Sequence, residues 1–524
     1  MSNTRNPPEQ FKFNALDKVI AIFSPQRAVE RVLLRAAMNG GYKAGGQSPS
    51  RANWTPIDGT GEMINKMSRD LMRRRARDAE RNSDLAKGVL LAYKRNVVGK
   101  GIKLQARSSD EKFNVLAERI WRRWCKAENC DITGQQSMRE MLNMIVLRYI
   151  VDGGVLIIKT LTKDKKGYHF KIQLREVDDL TSNGLQEASN GNAICDGVEL
   201  DKYGKPTAYY FKKTDPNGYE NYEVERIEAD RVIFFWERNR PSEYREVSKL
   251  ASSLPRMKDT DDFLETVNFA HKMAASLALF ITQKFPDGLV GSFGRNADTI
   301  LSKLAGTIGG EKKVEAISPG SILELEPGQE VQSVVPSGAA AETRQMVCTQ
   351  ARMIAAGQGL SHESASRDVS EVNYSSARQN LLEDQKTYSD IQLSLIECVL
   401  VKLYEEVIVT AYRNGDINQR EYPKFYTDLE DYLECEFLAQ GMPWIDPNKD
   451  AQAQKTRLEN GTSNLKEECA REGKDWRDVL EQQALEKKYK EELGLIKKGG
   501  GENEPNNDKG TGSEGGENEG GNAG

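Results

Sequence analysis

The chain has 524 residues, 38% of them hydrophobic, so about 200 apolar side chains are available, enough for more than one packed core. Its 74 basic and 79 acidic residues leave a formal charge of −5, which argues against tight nucleic-acid binding through net charge and still allows a weak or sliding contact with DNA. Seven cysteines, an odd number with no C-x-x-C pair, and three histidines argue against a disulfide framework or a zinc module. The longest apolar run, around Met273–Ile281, is about ten residues, short of the ~18 a membrane helix requires. The first eight residues lack the apolar core of a secretory signal, so folding in a cytoplasm is expected.

Residues 1–60 are rich in Gly, Ser, Asn and Pro and read as a flexible arm, with one possible helix near Leu16–Met38. From Glu62 the period becomes helical. Met63, Met67 and Leu71 recur at i+4, while Arg69, Arg73, Arg77 and Arg81 recur at the same spacing on another face. That basic stripe is either a solvated face or a contact for an acidic partner or DNA. Leu85, Val89, Tyr93 and Val97 continue an apolar stripe that Gly99 and Gly101 end. Phe113–Cys125 and Met138–Ile150 read as two further amphipathic helices.

The middle of the chain changes period. Val155–Thr160, His169–Arg175, Ile194–Leu200, Thr207–Lys213 and Arg231–Trp236 are short β-branched and aromatic runs separated by Gly, Asn and Asp turns, an antiparallel sheet region in an α+β domain. After Pro255 a helical pattern runs to Ile281. Residues 284–338 fall into short glycine-punctuated pieces, with 321–326 and 330–335 expected to form a small hairpin around Pro327-Gly328. A helix over Ala341–Ala356 follows. The polar segment Ser361–Tyr374 then leads into a helix from about Ser376 to Asn414, roughly 58 Å long, on which Ile391, Leu395, Val399, Leu403 and Val407 keep i+4 spacing. Lys449–Asn460 and Asp475–Lys490 read as charged helices. Gly499–Gly524 holds ten Gly, six acids and a single hydrophobic residue, Ala523, and reads as a disordered acidic tail.

No reaction chemistry emerges from the motifs. Gly306–Lys312 lacks the GxxxxGK[ST] register of a phosphate loop, and Gly357-Gln-Gly359 has no third glycine at the required spacing. His362-Glu363 begins an HExxH pattern, but position 366 is Ser. Ser361-His362-Glu363 are sequence neighbours and make a poor triad. The pairs Asp178-Asp179 and Asp261-Asp262 are explained by a turn and a helix start more simply than by a divalent ion. No catalytic, cofactor-binding or metal-binding residue is assigned, and no cofactor is expected.

A set of segments occurs in order between about residues 60 and 490. It comprises Arg73-Arg-Arg-Ala-Arg-Asp78, Asn96-Val-Val-Gly-Lys-Gly-Ile102, Asp152-Gly-Gly154, Gly197-Val-Glu-Leu-Asp201 with Gly204-Lys-Pro206, Pro319-Gly320 with Pro327-Gly328, Ile354-Ala-Ala-Gly357, Asn373-Tyr-Ser-Ser-Ala-Arg378 and Ile445-Asp-Pro-Asn-Lys449. Together they resemble the lambda-type family of tailed-phage portal proteins, above all through Asn373–Arg378 ahead of a long helix. One segment departs: where the family tends to read Arg-Pro-Gly-Gln-x-Arg-Gly, this chain has Arg240-Pro-Ser-Glu-Tyr-Arg245-Glu246.

The resemblance implies a ring-forming α+β subunit, in a homo-oligomeric ring of about twelve copies at one capsid vertex. Double-stranded DNA passes through the ring without sequence specificity. The expected parts are a flexible arm (1–60), a wing (61–254), a stem helix (255–283), a clip (284–338), a second stem helix (339–358) and a tunnel loop (359–375). A long helix with the wing return (376–442), a helical crown (443–495) and the acidic tail (496–524) complete them. The implied partners are the terminase large subunit, then a head-tail adaptor, together with the major capsid and scaffolding proteins; no membrane is involved. The setting is the virion, with assembly in the host cytoplasm, and the chain is not expected to be an enzyme. Tunnel-loop candidates facing DNA are His362, Glu363, Ser364, Ser366, Arg367 and Asp368; Lys312 and Lys313 are the candidate partner-facing residues of the clip. The alternative reading is a peripheral capsid scaffold or a DNA-binding protein without a channel, the latter using the Arg69–Arg81 stripe.

Overall fold

The computed structural model describes residues 57–164, 167–182, 184–214, 220–275, 279–283, 329–333, 340–370, 372–441 and 447–495, with the isolated residues 20, 22, 24 and 27. The expected helix near Leu16–Met38, the pieces at 284–328 with Lys312 and Lys313, and the tail 496–524 lie outside the described residues apart from those isolated positions. The chain forms two compact units, one of residues 1–68 with Arg240–Glu243, the other of residues 69–239 with 244–524.

In the smaller unit, the first turn of helix α1 (Gly61–Asn82) leaves N–H groups without intrahelical partners, and a turn at Arg240–Glu243 takes them up. Gly61 N–H donates to Ser242 Oγ at 2.8 Å, Glu62 N–H to the Ser242 carbonyl at 3.3 Å, and Asn65 Nδ2 to Glu243 at 2.9 Å. The segment that departs from the family's Arg-Pro-Gly spacing therefore serves as a helix cap here.

In the larger unit, α2 (Asp84–Tyr93), α3 (Glu111–Trp124), α4 (Ala127–Cys130) and α5 (Met138–Val151) follow; α2, α3 and α5 lie close to the positions their periodicity gives, and the four-residue α4 has no counterpart in the sequence reading. Asp110 caps α3 by accepting from Lys112 N–H at 2.9 Å, and Glu140 accepts from Ser137 N–H at 2.8 Å at the start of α5. The strands are β1 (Lys103–Ala106), β2 (Gly154–Asp164), β3 (Gly167–Arg175), β4 (Ala193–Cys195), β5 (Val198–Leu200), β6 (Pro206–Thr214), β7 (Glu220–Glu228) and β8 (Val232–Trp236). They form an antiparallel three-stranded sheet in the order β3-β2-β8 and an antiparallel four-stranded sheet in the order β4-β5-β6-β7. Ile194–Leu200 is thus two strands joined at Asp196-Gly197 instead of one. A Cβ at Gly197 (φ +87°) would stand 2.7 Å from Thr181 N, so the close approach of that turn needs glycine.

Strand β2 explains its own unbroken Val155-Leu-Ile-Ile158 run. Val155 and Ile157 face the main core with the helices, while Leu156 and Ile158 face a second core with Val177, Val198, Tyr209 and Phe211. A strand covered on both faces loses polar alternation.

Helix α6 (Leu254–Ala275) ends before the expected boundary at Ile281; β9 (Leu279–Gln283) pairs antiparallel with β10 (Gln329–Ser333). Leu279-Phe-Ile-Thr282 is a β-branched and aromatic run, which favours a strand over continued helix. One half of the hairpin expected between 321–326 and 330–335 lies outside the described residues; the other half, as β10, pairs with β9. Then come α7 (Ala340–Gly357), α8 (His362–Ser366), α9 (Tyr374–Leu395), α10 (Val401–Asn414), α11 (Leu429–Leu433), β11 (Cys435–Leu438), α12 (Pro447–Glu459), α13 (Leu465–Arg471) and α14 (Trp476–Glu492). Strand β11 pairs antiparallel with β1.

Helices α9 and α10 are one long helix joined by a π turn, Ile396–Leu400, and a second π turn, Lys94–Val98, extends α2. Both coincide with stripes kept at strict i+4. At 100° per residue the sixteen residues from Ile391 to Val407 would drift about 160° around an ideal α-helix, and the extra residue of a π turn takes back about 100° of it. The stripe stays buried: Ile391, Leu395, Val399, Leu403 and Val407 are at most 5% exposed. Gln392 reaches from α9 to the Asn96 and Val97 carbonyls, donating at 3.0 and 3.1 Å. No described helix is long and apolar enough to cross a membrane.

Candidate functional site

The segment between α7 and α9 is held at several points. The chain leaving α7 is gripped at Gln358, whose buried side chain donates to the Lys249 carbonyl at 3.2 Å and to Ser253 Oγ at 3.0 Å. Its own carbonyl accepts from the Tyr93 hydroxyl at 2.5 Å, and the Gly359 carbonyl accepts from Thr387 Oγ1 at 2.7 Å.

Ser361 caps the short helix α8, accepting from Ser364 N–H at 3.3 Å. The anchor is Asp384 on α9, 2% exposed, whose carboxylate accepts from Ser361 N–H at 2.6 Å, Ser361 Oγ at 2.7 Å and Ser364 Oγ. A carboxylate without hydrogen bonds is costly to bury, and three donors supply what water gave. Glu363 accepts from Asn380 Nδ2 at 3.0 Å. The other side of α8 packs on α2 so closely that a Cβ at Gly88 would stand 2.1 Å from the Ala365 carbonyl oxygen.

The candidate residues therefore divide. His362, Glu363, Ser364 and Ser366 are half-buried, and Ser366 Oγ donates to the His362 carbonyl at 2.8 Å, while His362 Nδ1 is buried without a partner among the described residues. Arg367, in a left-handed conformation (φ 62°), is exposed. The half-buried Asp368 accepts from the hydroxyl and N–H of Ser370 at 2.6 and 3.0 Å, and those bonds, with His362 and Arg344 nearby, hold its pKa below the usual carboxylate range. The remaining acid of this stretch, Glu371, lies outside the described residues. Ser361, His362 and Glu363 do not form a triad, because the Ser361 hydroxyl is turned to Asp384 and Glu363 to Asn380.

The arginine stripe is a correction to both readings of it. Arg69 and Arg73 are 3% and 6% exposed, and with Arg77 they point into carboxylates drawn from distant segments. Arg69 meets Asp196 at 2.7 Å; Arg73 meets Asp178 at 2.6 Å and Glu246 at 3.2 Å; Arg77 meets Asp152 at 2.7 Å and Asp178 at 2.9 Å. Arg245 joins through Asp196 and Glu246, and Arg148 through Asp152 and Glu80. Burial opposes the charge on Arg77, but the bond to Asp152 with the fields of Asp178 and Glu176 outweighs it, so its pKa is raised. These three arginines brace the fold; Arg81, at the end of the stripe, is exposed.

The site is a capped short helix between two longer ones, clamped by a buried carboxylate and followed by an exposed Arg367 and a half-buried Asp368; among the described residues these groups assemble no catalytic triad. The family model described as "Phage portal protein, lambda family" matches residues 47–392, more than half of the chain. The chain belongs to the lambda family of phage portal proteins. Its relatives include the "Probable portal protein" of Halomonas phage phiHAP-1, 25% identical with 84% of this chain and 85% of the relative covered. "Portal protein B" of Escherichia phage lambda is 22% identical, with 80% and 84% covered. A solved structure titled "Neck of native GTA particle computed with C12 symmetry" is similar at 12% identity and a TM-score of 0.42, covering 78% of this chain and 92% of that one. The stretch matched by the portal family model contains the arginine network, the Asp384 clamp and nearly all of α9.

The roles of Asp384 and of the carboxylates Asp152, Asp178, Asp196 and Glu246 escape the sequence reading. Asp384 sits at −4 from Tyr388 and −7 from Ile391, so an acid continuing an apolar stripe was the available signal. The carboxylates around Arg69–Arg77 had none, since they converge only through tertiary structure.

Proposed function

We propose that this chain is the repeating subunit of a closed ring of about twelve copies at one vertex of a phage capsid, with double-stranded DNA passing through its bore during packaging and ejection. The observation that carries this is family membership over residues 47–392, with portal proteins of two other phages matched over more than four-fifths of their own lengths. The chain acts as a conduit in the virion. ATP-driven translocation falls to the terminase large subunit, which docks first and gives way to a head-tail adaptor, and the major capsid and scaffolding proteins surround the ring.

Within that reading, residues 61–254 serve as the wing, α6 and α7 as stem helices, residues 284–338 as the clip, 359–375 as the tunnel loop, 376–442 as the long helix and wing return, and 443–495 as the crown. The β9–β10 pairing, which closes the strand ends between α6 and α7, supports a clip bracketed by stem helices. The DNA-binding alternative loses its footing, because Arg69 and Arg73 are buried in ion pairs.

Beyond α8 the tunnel loop carries the exposed Arg367 and the half-buried Asp368, and a conduit must meet phosphates without retaining them. Phage particles carrying Glu363→Lys and Asp368→Lys together are expected to form rings and fill slowly or stall, through added phosphate contacts. Particles with this double change that fill at the normal rate would place the loop away from DNA. A phage lacking the chain should yield no filled heads, and filled heads in its absence would refute the portal reading.

A further inference from the structure

Two exposed helix faces of the larger unit match in register. On α1, Leu71 is 50% exposed, and Arg74, Asp78 and Arg81 continue its face 3, 7 and 10 residues later, all exposed. On α9, Leu393 is 54% exposed, and Asp390, Lys386 and Glu383 precede it by the same 3, 7 and 10 residues, all exposed. Such offsets keep side chains on one stripe of a helix. Set in opposite directions, the stripes pair Leu71 with Leu393, Arg74 with Asp390, Asp78 with Lys386 and Arg81 with Glu383. That is one apolar contact and three of opposite charge. A parallel arrangement has no such match, since the positions 3, 7 and 10 residues after Leu393 are Ile396, Leu400 and Leu403, uncharged residues of which the last two are buried.

Arg74 and Arg81 make no ion pair among the described residues. Lys386 and Glu383 pair with one another at 2.9 Å along the surface of their helix, 73% and 56% exposed. Asp78 accepts from Asn82 at 2.7 Å and lies in the field of Lys258. Exposed pairs of this kind exchange partners at little cost. Both faces belong to one unit and both are open, so neither covers the other within the chain.

We propose that the α1 face from Leu71 to Arg81 docks antiparallel against the α9 face from Glu383 to Leu393 of a second copy of this chain, as one contact between neighbours in the ring. The inference rests on the ring reading above. A cyclic ring needs two different complementary patches on every subunit, and these faces carry net charges of +1 and −1 with opposite sequences of sign.

The test uses the full-length chain and three variants, R74E, D390R and the double R74E/D390R, with the mass distribution read against protein concentration at low salt. Each single variant sets like charges face to face and is expected to raise the concentration for half-assembly about tenfold, while the double variant returns close to the unmodified chain. Thermal melts check that each variant is folded. Singles that assemble like the unmodified chain overturn the contact, as does a double no better than the worse single. A cysteine pair covers the case of a variant that fails to fold: L71C with L393C, in a C398S background, is expected to give a ladder of subunit multiples with a short bismaleimide, and a chain that remains unlinked overturns the contact. An unmodified chain that never forms rings overturns the portal reading and this contact with it; rings indifferent to every variant overturn the contact alone.

Discussion

Replacing Asp384 by alanine should release α8 from α9 while the rest of the molecule stays folded. The carboxylate is 2% exposed and accepts from Ser361 N–H, Ser361 Oγ and Ser364 Oγ. Hydrogen bonds to a charged acceptor are worth about 1.5–3 kcal/mol each, and removing the buried charge recovers part of its desolvation cost, so the net local loss is about 3 kcal/mol. Opening of the segment then becomes about a hundredfold more frequent. Amide hydrogen exchange followed by mass spectrometry should show faster exchange at residues 358–370 and unchanged exchange in α5. Asp384→Asn, which keeps the size and one acceptor, should fall between. Gly88→Ala should give the same signature from the opposite side, by pressing a methyl group into the Ala365 carbonyl 2.1 Å away. Unchanged exchange in this segment, or equal acceleration across the whole chain, would refute the clamp.

The Glu468 carboxyl, hydrogen-bonded at 2.8 Å to both Arg457 Nε and Nη2, is held down to about 2 against an ordinary 4.5. A depressed carboxyl stabilises the fold above its unfolded pKa, so that contribution, up to ~3 kcal/mol, is present at neutral pH and lost as pH falls from about 4.5 towards 2; Glu468→Gln should flatten this part of the pH–stability curve. Arg73→Ala removes a partner from Glu246, which is fully buried, and should cost about 2–4 kcal/mol in urea unfolding, whereas Arg74→Ala on the exposed face should change the monomer by less than ~0.5 kcal/mol. Burial pushes the Cys125 thiol up to about 12 and the Cys130 thiol up to about 11, while Cys398 is exposed, so peptide mapping should find Cys398 alkylated first and Cys125 and Cys130 only after unfolding.

Elements whose burial is periodic along the chain were the legible ones. Leu85–Val97 and Ile391–Val407 announce helices, and their refusal to drift from i+4 carries the two π turns as well, a signal that the helix reading alone passes over. Strand β7 was missed: Glu220-Asn-Tyr-Glu-Val-Glu-Arg-Ile-Glu228 is a charged edge strand whose alternation breaks after Val224, and its partner β6 shifts register between Lys212 and Lys213. The arginine stripe shows a different limit. Its spacing places Arg69, Arg73 and Arg77 on one face, but whether that face meets water depends on Asp152, Asp178, Asp196 and Glu246, which only the tertiary fold brings to it. The polar composition of Ser361–Tyr374 suggested a loop. Ser361, Ser364 and Glu363 in fact spend their polarity on Asp384 and Asn380, while Arg367, Val369 and Ser370 are exposed.

The central claim, a closed ring of this chain, is tested most directly by the mass and image of the purified full-length protein. Native mass measurement with negative-stain averaging should give particles of about 700 kDa for about twelve 58.7-kDa copies, each with a central hole. A monomer at every salt and protein concentration, or assemblies without a hole, would contradict it.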